Sequence, residues 1–327
     1  MNDIDFVLPW VDGSDPAWQQ ACRAAKPGAG DDASEIRYRD WQTLRYWFRS
    51  VEQFAPWVRK IHFITWGHLP EWLATEHPKL HIVRHEDYLP EAYRPTFNSN
   101  AIELSIHRIE GLAEQFVLFN DDFFLGRPAR PTDFFRRGLP RDMAALCPLS
   151  PEPISHISLS TLIQTARCHR PRKAVFGAPG KWFSPRYGAG ILLKTLLALP
   201  WTNFIGIRNH HMAQGYLRSR FAEAWERWPE ALDATSRHPF RTAEDVSHWL
   251  IRYDTLCRGD FDPVSYNDCC QMTLTDDNRA VCDAIVRQRW RMFCLHDDAA
   301  IRDFDRASAE LCAAFEQLLP QKSSYEK

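Results

Sequence analysis

The chain has 327 residues, 45% of them hydrophobic and 25% charged, enough apolar material for one large α/β domain or two smaller ones. Forty Lys and Arg against 42 Asp and Glu give a formal charge of -2, so no global field draws nucleic acid or an acidic membrane, and an anionic ligand must be held locally. No run of 18 apolar residues is present to span a bilayer.

The N-terminal MNDIDFVLPWVDG lacks a basic region followed by a long apolar stretch, so cytoplasmic residence is expected. Residues 4–8, IDFVL, read as a buried strand ending in the turn former DGSDP. From Asp40, the apolar Trp41, Leu44, Trp47, Phe48, Val51 and Phe54 recur at helical steps, and the helix stops near Pro56. Residues 60–67 read as a second strand, 70–77 as a short helix opened by proline, and 79–85 as a third strand. Asn98 or Ser99 caps a helix expected to run to about Glu114, and QFVLFN at 115–120 is the fourth strand. This alternation is the signature of a mostly parallel sheet flanked by helices, in which ligands gather beyond the strands' carboxyl ends. Asp12, Trp66 and the pair Asp121 and Asp122 fall just beyond such ends, as does Trp10.

The stretch to about residue 200 is proline-rich and reads as irregular, a segment suited to covering a substrate. Residues 210–228 and 243–257 look helical, 287–300 repeats the plan of an apolar stretch ending in two Asp, and 303–319 forms a last helix. The nine Cys are an odd number and suit a reducing compartment. Cys257, Cys269, Cys270, Cys282, Cys294 and His296 crowd together without zinc-site CxxC spacing, so buried free thiols are expected there.

Adjacent Asp121 and Asp122 admit two readings: oxygen ligands for Mg²⁺ or Mn²⁺ against a diphosphate, or a turn cap. Asp297 and Asp298 repeat the motif. His211, beside His210, has the chemistry to take a proton from a hydroxyl, and Arg220 and Arg241 the chemistry to clamp phosphate. For each, the bland reading is a solvated basic surface. No GxxxxGK[ST], GxGxxG after the first strand, or GxSxG occurs, which argues against common ATPases, dinucleotide enzymes and serine hydrolases. The residues by themselves reach a nucleotide-sugar or phosphate-ester enzyme.

IDFVLPWVDGSDPAW resembles the first signature block of the Stealth family, bacterial capsular and exopolysaccharide phosphotransferases related to the catalytic subunit of the lysosomal-enzyme N-acetylglucosamine-1-phosphotransferase. RYRDWQTLRYWFRSVEQFAPWVRKIHFITWGHLPEWL with PTFNSNAIELSIHRIEGLAEQFVLFNDDFFLGRP resembles the second block, NHHMAQGYLRSRF to FRTAEDVSHWLIRY the third, and MFCLHDDA the fourth. The resemblance implies transfer of a sugar 1-phosphate from a UDP-sugar to a glycan hydroxyl, releasing UMP, in capsule or exopolysaccharide synthesis. It implies donor contacts from Asp12, Trp10, Asn98, Ser99, Asn120 and Arg220. Mg²⁺ or Mn²⁺ would lie at Asp121, Asp122, Asp297 and Asp298, and catalytic roles would fall to His211, Asp122 and Arg241. Two positions depart from the family pattern: Gln214 stands where relatives often have a second histidine, and HDD replaces NDD or NDN in the fourth block.

The fold expected is α/β, a mostly parallel Rossmann-like (GT-A-like) sheet with a mainly helical C-terminal part completing the site. Residues 1–140 would bind the nucleotide sugar and 141–327 would carry the catalytic His and Arg and the second Asp pair, as one integrated unit. The partners expected are a UDP-sugar, a poly- or oligosaccharide acceptor and, peripherally, capsule assembly machinery, with no nucleic acid. The alternatives are a metal-dependent glycosyltransferase releasing UDP and a catalytically silent nucleotide-sugar or glycan binder.

Overall fold

A computed structural model describes residues 3–25, 39–152, 155–298 and 300–327. Arg37 and Tyr38, which open the second signature block, and Ala299 of the repeated Asp motif lie outside the described residues. The described strands are β1 Ile4–Pro9, β2 Ile61–Thr65, β3 Leu80–Arg84, β4 Gln115–Leu118, β5 Phe123–Leu125, β6 Phe135–Arg136, β7 Leu139–Asp142, β8 Gln214–Leu217, β9 Asp262–Pro263, β10 Cys269–Thr273 and β11 Met292–His296.

The main sheet has the order β3-β2-β1-β4-β8. Its first four strands are parallel, as the sequence alternation requires, and β8 returns antiparallel beside β4. Parallel strands covered on both faces read as unbroken apolar runs because each side chain finds a core on its own side. Phe6 and Leu8 of β1 join Trp47, Phe48 and Phe54 of the helix Leu44–Phe54 on one face. Val7 between them joins Ile64, Phe116 and Phe221 on the other. A second sheet, β10-β11-β5, and a third, β6-β7-β9, flank the first.

Several expected elements differ. The segment 70–77 is not a helix: the Ala74 N–H donates to the Tyr325 carbonyl, and the Lys327 N–H to that of Trp72, so these groups pair with the C-terminus. The helix after Asn98 ends at Leu104 and gives way to a 3-10 turn, Ile106–Arg108. Tyr88 Oη and Trp225 Nε1 donate to the carbonyls of Ile102 and Leu104, which a longer helix would have used itself. Within 210–228, β8 takes 214–217 and leaves Arg218–Arg227 helical. The helix expected at 243–257 runs instead over Trp249–Arg258, capped by Gly259 at φ +74. Residues 287–300 contain the strand β11.

From residue 155 to 198 the proline-rich middle is largely helical: Ser155–Cys168, Pro171–Gly177, Pro179–Trp182 and Ala189–Ala198. Pro171 and Pro179 occupy first-turn positions, where the missing N–H costs nothing, so these prolines start helices. Around them Leu146, Leu162, Val175, Trp182, Tyr253 and Phe261 form a separate core. Among the described residues, no helix is long and apolar enough to cross a membrane.

Candidate active site

The turn 120–122 carries the chain out of β4 in the main sheet and into β5 in the second. The Phe123 N–H donates to the Asn120 carbonyl, and the Leu295 N–H to the Asp122 carbonyl, which fastens the turn to β11. Register brings the third block to the same place. Gln214 opens β8 opposite Leu118, the last residue of β4, so His211, three residues before β8, lies beside the residues that follow β4.

A cavity of about 480 Å³ opens at this end of the sheet. Trp10, Ser99, Asn120, Asp121, Asp122, His211, Arg241 and Asp297 all line it, bringing together residues from all four signature blocks. Trp66 lines it with Trp10, which stacks on Phe63 at 5.5 Å. Phe97 and Phe240, also stacked, add a second aromatic surface.

Asp122 is held by Cys294, whose thiol donates to Oδ2 at 3.2 Å; Sγ also lies 3.3 Å from His211 Nδ1. Asp122 Oδ1 is buried without a hydrogen-bond partner. Burial pushes Asp122 up to about 7, with the neighbouring Asp121 charge adding, and pushes Asp121 up to about 6. Burial also pushes His211 down to about 4, helped by His296 and Arg241, and drives the Cys294 thiol far upward, so it stays protonated at neutral pH. Among the described residues, the grouping of side chains able to hold a metal is Asp122, His211 and Cys294, whose ligand atoms lie within 4.8 Å of one another. Cys257, Cys269, Cys270, Cys282 and Cys294 form no disulfide, and Cys257, Cys269, Cys270 and Cys282 take no part in that grouping.

Arg241 reaches the cavity through a brace. Asn98 is fully buried and caps the helix Ser99–Leu104 by accepting from the Asn100 N–H at 3.0 Å. Its Nδ2 donates to Asp245 Oδ2 at 2.7 Å, tying the 238–245 loop to the turn before that helix. Arg241 then donates to the Ser99 hydroxyl. Glu103, one turn along, also lines the cavity, and burial pushes it up to about 7 against the pull of Arg241 and Ser99.

Other expected residues stand differently. Asn98 itself does not line the cavity. Asp12 accepts from the Ser14 N–H and hydroxyl beside the cavity and is not in its wall. Asp297 faces the cavity but accepts from both Arg39 and Trp41, while Asp298 accepts from the Ala300 N–H and is not in the wall. Arg220 pairs with Glu223 and Asp260 outside it. Gln214 is buried in β8 and does not reach it.

Arg39, Glu103 and Cys294 belong to the site although no sequence motif marks them as site residues, and His296, which opens the HDD motif, is exposed and lines the cavity. Arg39 finds Asp297, and Cys294 finds Asp122 and His211, far away along the chain, so no local spacing signals these two.

The chain belongs to the Stealth family of phosphotransferases: conserved region 1 matches residues 2–30, region 2 residues 37–142 and region 3 residues 210–252. It is 37% identical to a capsular polysaccharide phosphotransferase, WcwK, of Streptococcus pneumoniae over all of this chain and 99% of the relative. It is 35% identical to an exopolysaccharide phosphotransferase, cps2G, of Lactiplantibacillus plantarum over 99% and 96%, and 35% identical to a receptor polysaccharide phosphotransferase, WefC, of Streptococcus oralis over both full lengths. Among solved structures, galactosyltransferase LgtC, in complex with donor and acceptor sugar analogues, aligns over 94% of this chain and 95% of its own at 10% identity and a TM-score of 0.38.

Proposed function

We propose that this phosphotransferase moves a hexose 1-phosphate from a UDP-sugar to a hydroxyl of a glycan acceptor, releasing UMP, in the synthesis of a capsular or exopolysaccharide. The observation that carries the reading is the convergence of Asp121, Asp122, His211 and Arg241 on one aromatic-walled cavity beyond the carboxyl ends of β1 and β4. Trp10 and Trp66 suit the faces of a nucleobase, and Arg241 suits a phosphoryl oxygen.

The acceptor oxygen bonds to the phosphorus nearer the sugar, and the bond from that phosphorus to the UMP oxygen breaks. In this reading His211 takes the acceptor proton, an assignment supported by its position in the cavity wall and by burial, which keeps the imidazole neutral. With the thiol proton donated to Asp122, Sγ can only accept, so Nδ1 carries the imidazole proton and Nε2 offers its lone pair. Arg241 stabilises the charge that gathers on the phosphoryl oxygens.

Asp121 and Asp122 fit a divalent cation such as Mg²⁺ or Mn²⁺, because two adjacent carboxylates face the cavity with little local positive charge and the Asp122 Oδ1 atom is buried without any partner. When bound, such an ion supplies charge neutralisation for a diphosphate. Asp297 is less suited, since Arg39 already neutralises it. The test is incubation of the purified protein with a UDP-sugar, Mg²⁺ or Mn²⁺ and a glycan acceptor: acceptor-dependent UMP is expected, and release of UDP, or donor binding without turnover across acceptors, overturns the reading.

A further inference from the structure

The segment 155–209 supplies nothing to the cavity wall and has a surface unlike the rest of the protein. It contains eight Lys and Arg and no Asp or Glu, in a chain whose acidic residues slightly outnumber its basic ones. Arg170, Arg172, Lys181 and Arg186 donate to backbone carbonyls, which leaves their charge uncancelled by a carboxylate partner in those bonds. Arg167, Lys173 and Lys194 are exposed.

The same segment holds all but Val286 of the large hydrophobic side chains left exposed among the described residues. Two of its helices turn apolar side chains to water while burying polar ones. In Ala189–Ala198, Thr195 is buried and accepts from the Leu146 N–H, while Leu193, Leu196 and Leu197 are 54%, 55% and 61% exposed. In Ser155–Cys168, Ser158, Thr161 and Thr165 are buried beside Ile157 and Leu162, while Leu159 and Ile163, one turn apart, face outward. Phe176 and Trp201 are exposed as well, and Arg172 ties their two stretches together through the carbonyls of Leu199 and Pro200. Both helices pack on one core, with Leu162 and Ala198 inside it. Exposed Leu, Ile, Phe and Trp would cost solubility with no return unless something covers them.

We infer that the 155–209 unit docks on the surface of an anionic membrane, with Leu193, Leu196, Leu197 and Trp201 entering the headgroup region and the surrounding Arg and Lys pairing with lipid phosphates. Charge decides in favour of a membrane over a second copy of the chain, since two identical surfaces with no acidic residue would repel each other. The apolar side chains decide in favour of lipid over a soluble polyanion, which would use only the charges.

The experiment is co-sedimentation of the full chain with vesicles of equal parts phosphatidylglycerol and phosphatidylcholine and with vesicles of phosphatidylcholine alone. Binding at least about tenfold stronger to the anionic vesicles, weakened by salt, is expected. The triple variant Leu193→Ser, Leu196→Ser, Leu197→Ser and the triple variant Arg167→Glu, Lys173→Glu, Lys194→Glu should each lose that binding. All six side chains are exposed, so thermal unfolding should be unaltered and will verify folding. Equal binding to both vesicle types, or undiminished binding of either variant, overturns the inference. So does a wild-type dimer, seen by light scattering, that the leucine variant dissolves without any vesicle binding. UMP release on a soluble acceptor is measured without vesicles, so the outcome there stands apart from this one.

Discussion

Cys294 donates its thiol proton to Asp122 across 3.2 Å, linking a carboxylate from the end of the main sheet to the middle of a strand in the second. That bond lowers the Asp122 pKa against the upward push of burial and of Asp121. Cys294→Ala removes it, so Asp122 should titrate at higher pH. The acid limb of the kcat/KM profile should move upward, with a loss of about tenfold at neutral pH. Cys294→Ser, which retains a donor, should recover part of the loss. An unmoved profile would show that Asp122 need not be ionised.

Asp122→Asn and His211→Ala should each reduce transfer by at least about 100-fold while the unfolding midpoint changes little, because neither side chain supplies apolar core volume. Acceptor-dependent UMP release is the readout. Wild-type rates in both variants would move the chemistry elsewhere.

Asn98→Ala should act through structure and position together. It removes a helix cap and leaves Asp245, itself fully buried, without one of its donors. About 2–3 kcal/mol of stability should be lost. The loop bearing Arg241 is freed at the same time, so donor KM should rise in the fraction that remains folded. Denaturant unfolding and steady-state kinetics on the same preparation separate the two effects.

Arg220→Ala should leave donor KM unchanged, since Arg220 is engaged with Glu223 and Asp260 away from the cavity. A stability loss below about 1 kcal/mol is expected because those partners are partly exposed. A large rise in KM would restore Arg220 to the donor site.

Asp5, at the opposite end of β1 from the site, is fully buried and ties part of the stability to pH. Burial alone would raise its pKa, but hydrogen bonds from His62, Arg59 and the Ala113 N–H outweigh it and leave the carboxyl below its ordinary value. A depressed carboxyl stabilises the fold fully above its unfolded pKa of about 3.9 and loses that contribution as pH falls through the folded value. Asp5→Asn should therefore cost about 2 kcal/mol at pH 7, and the variant and wild type should converge in strong acid. A constant difference across the acid range would remove the charge from the explanation.

The main sheet was legible because four apolar runs separated by helical patterns leave little choice of topology, and the 120–122 turn followed from the strand before it. Partners contributed from afar were not legible. The capture of the Ala74 N–H by Tyr325 turned an expected helix into a bridge, and side chains of Tyr88 and Trp225 shortened another. The pairing of β8 with β4 overrode a helical pattern at 214–217. For the site, signature residues located most of the cavity wall, while the Asn98 brace, the Arg39 partnership with Asp297 and the thiol between Asp122 and His211 exist only once the chain is folded.

The antiparallel return of β8 beside β4 bears on how the protein can be divided. A fragment ending near residue 140 would leave β4 as an open edge, its outward backbone groups ready to pair with any passing chain. It would also lack His211, Arg241 and Cys294, so it should aggregate and would hold only one side of the cavity. Exchanging halves between relatives to change sugar preference therefore requires carrying 214–217 with the first half, or matching both strands of that seam.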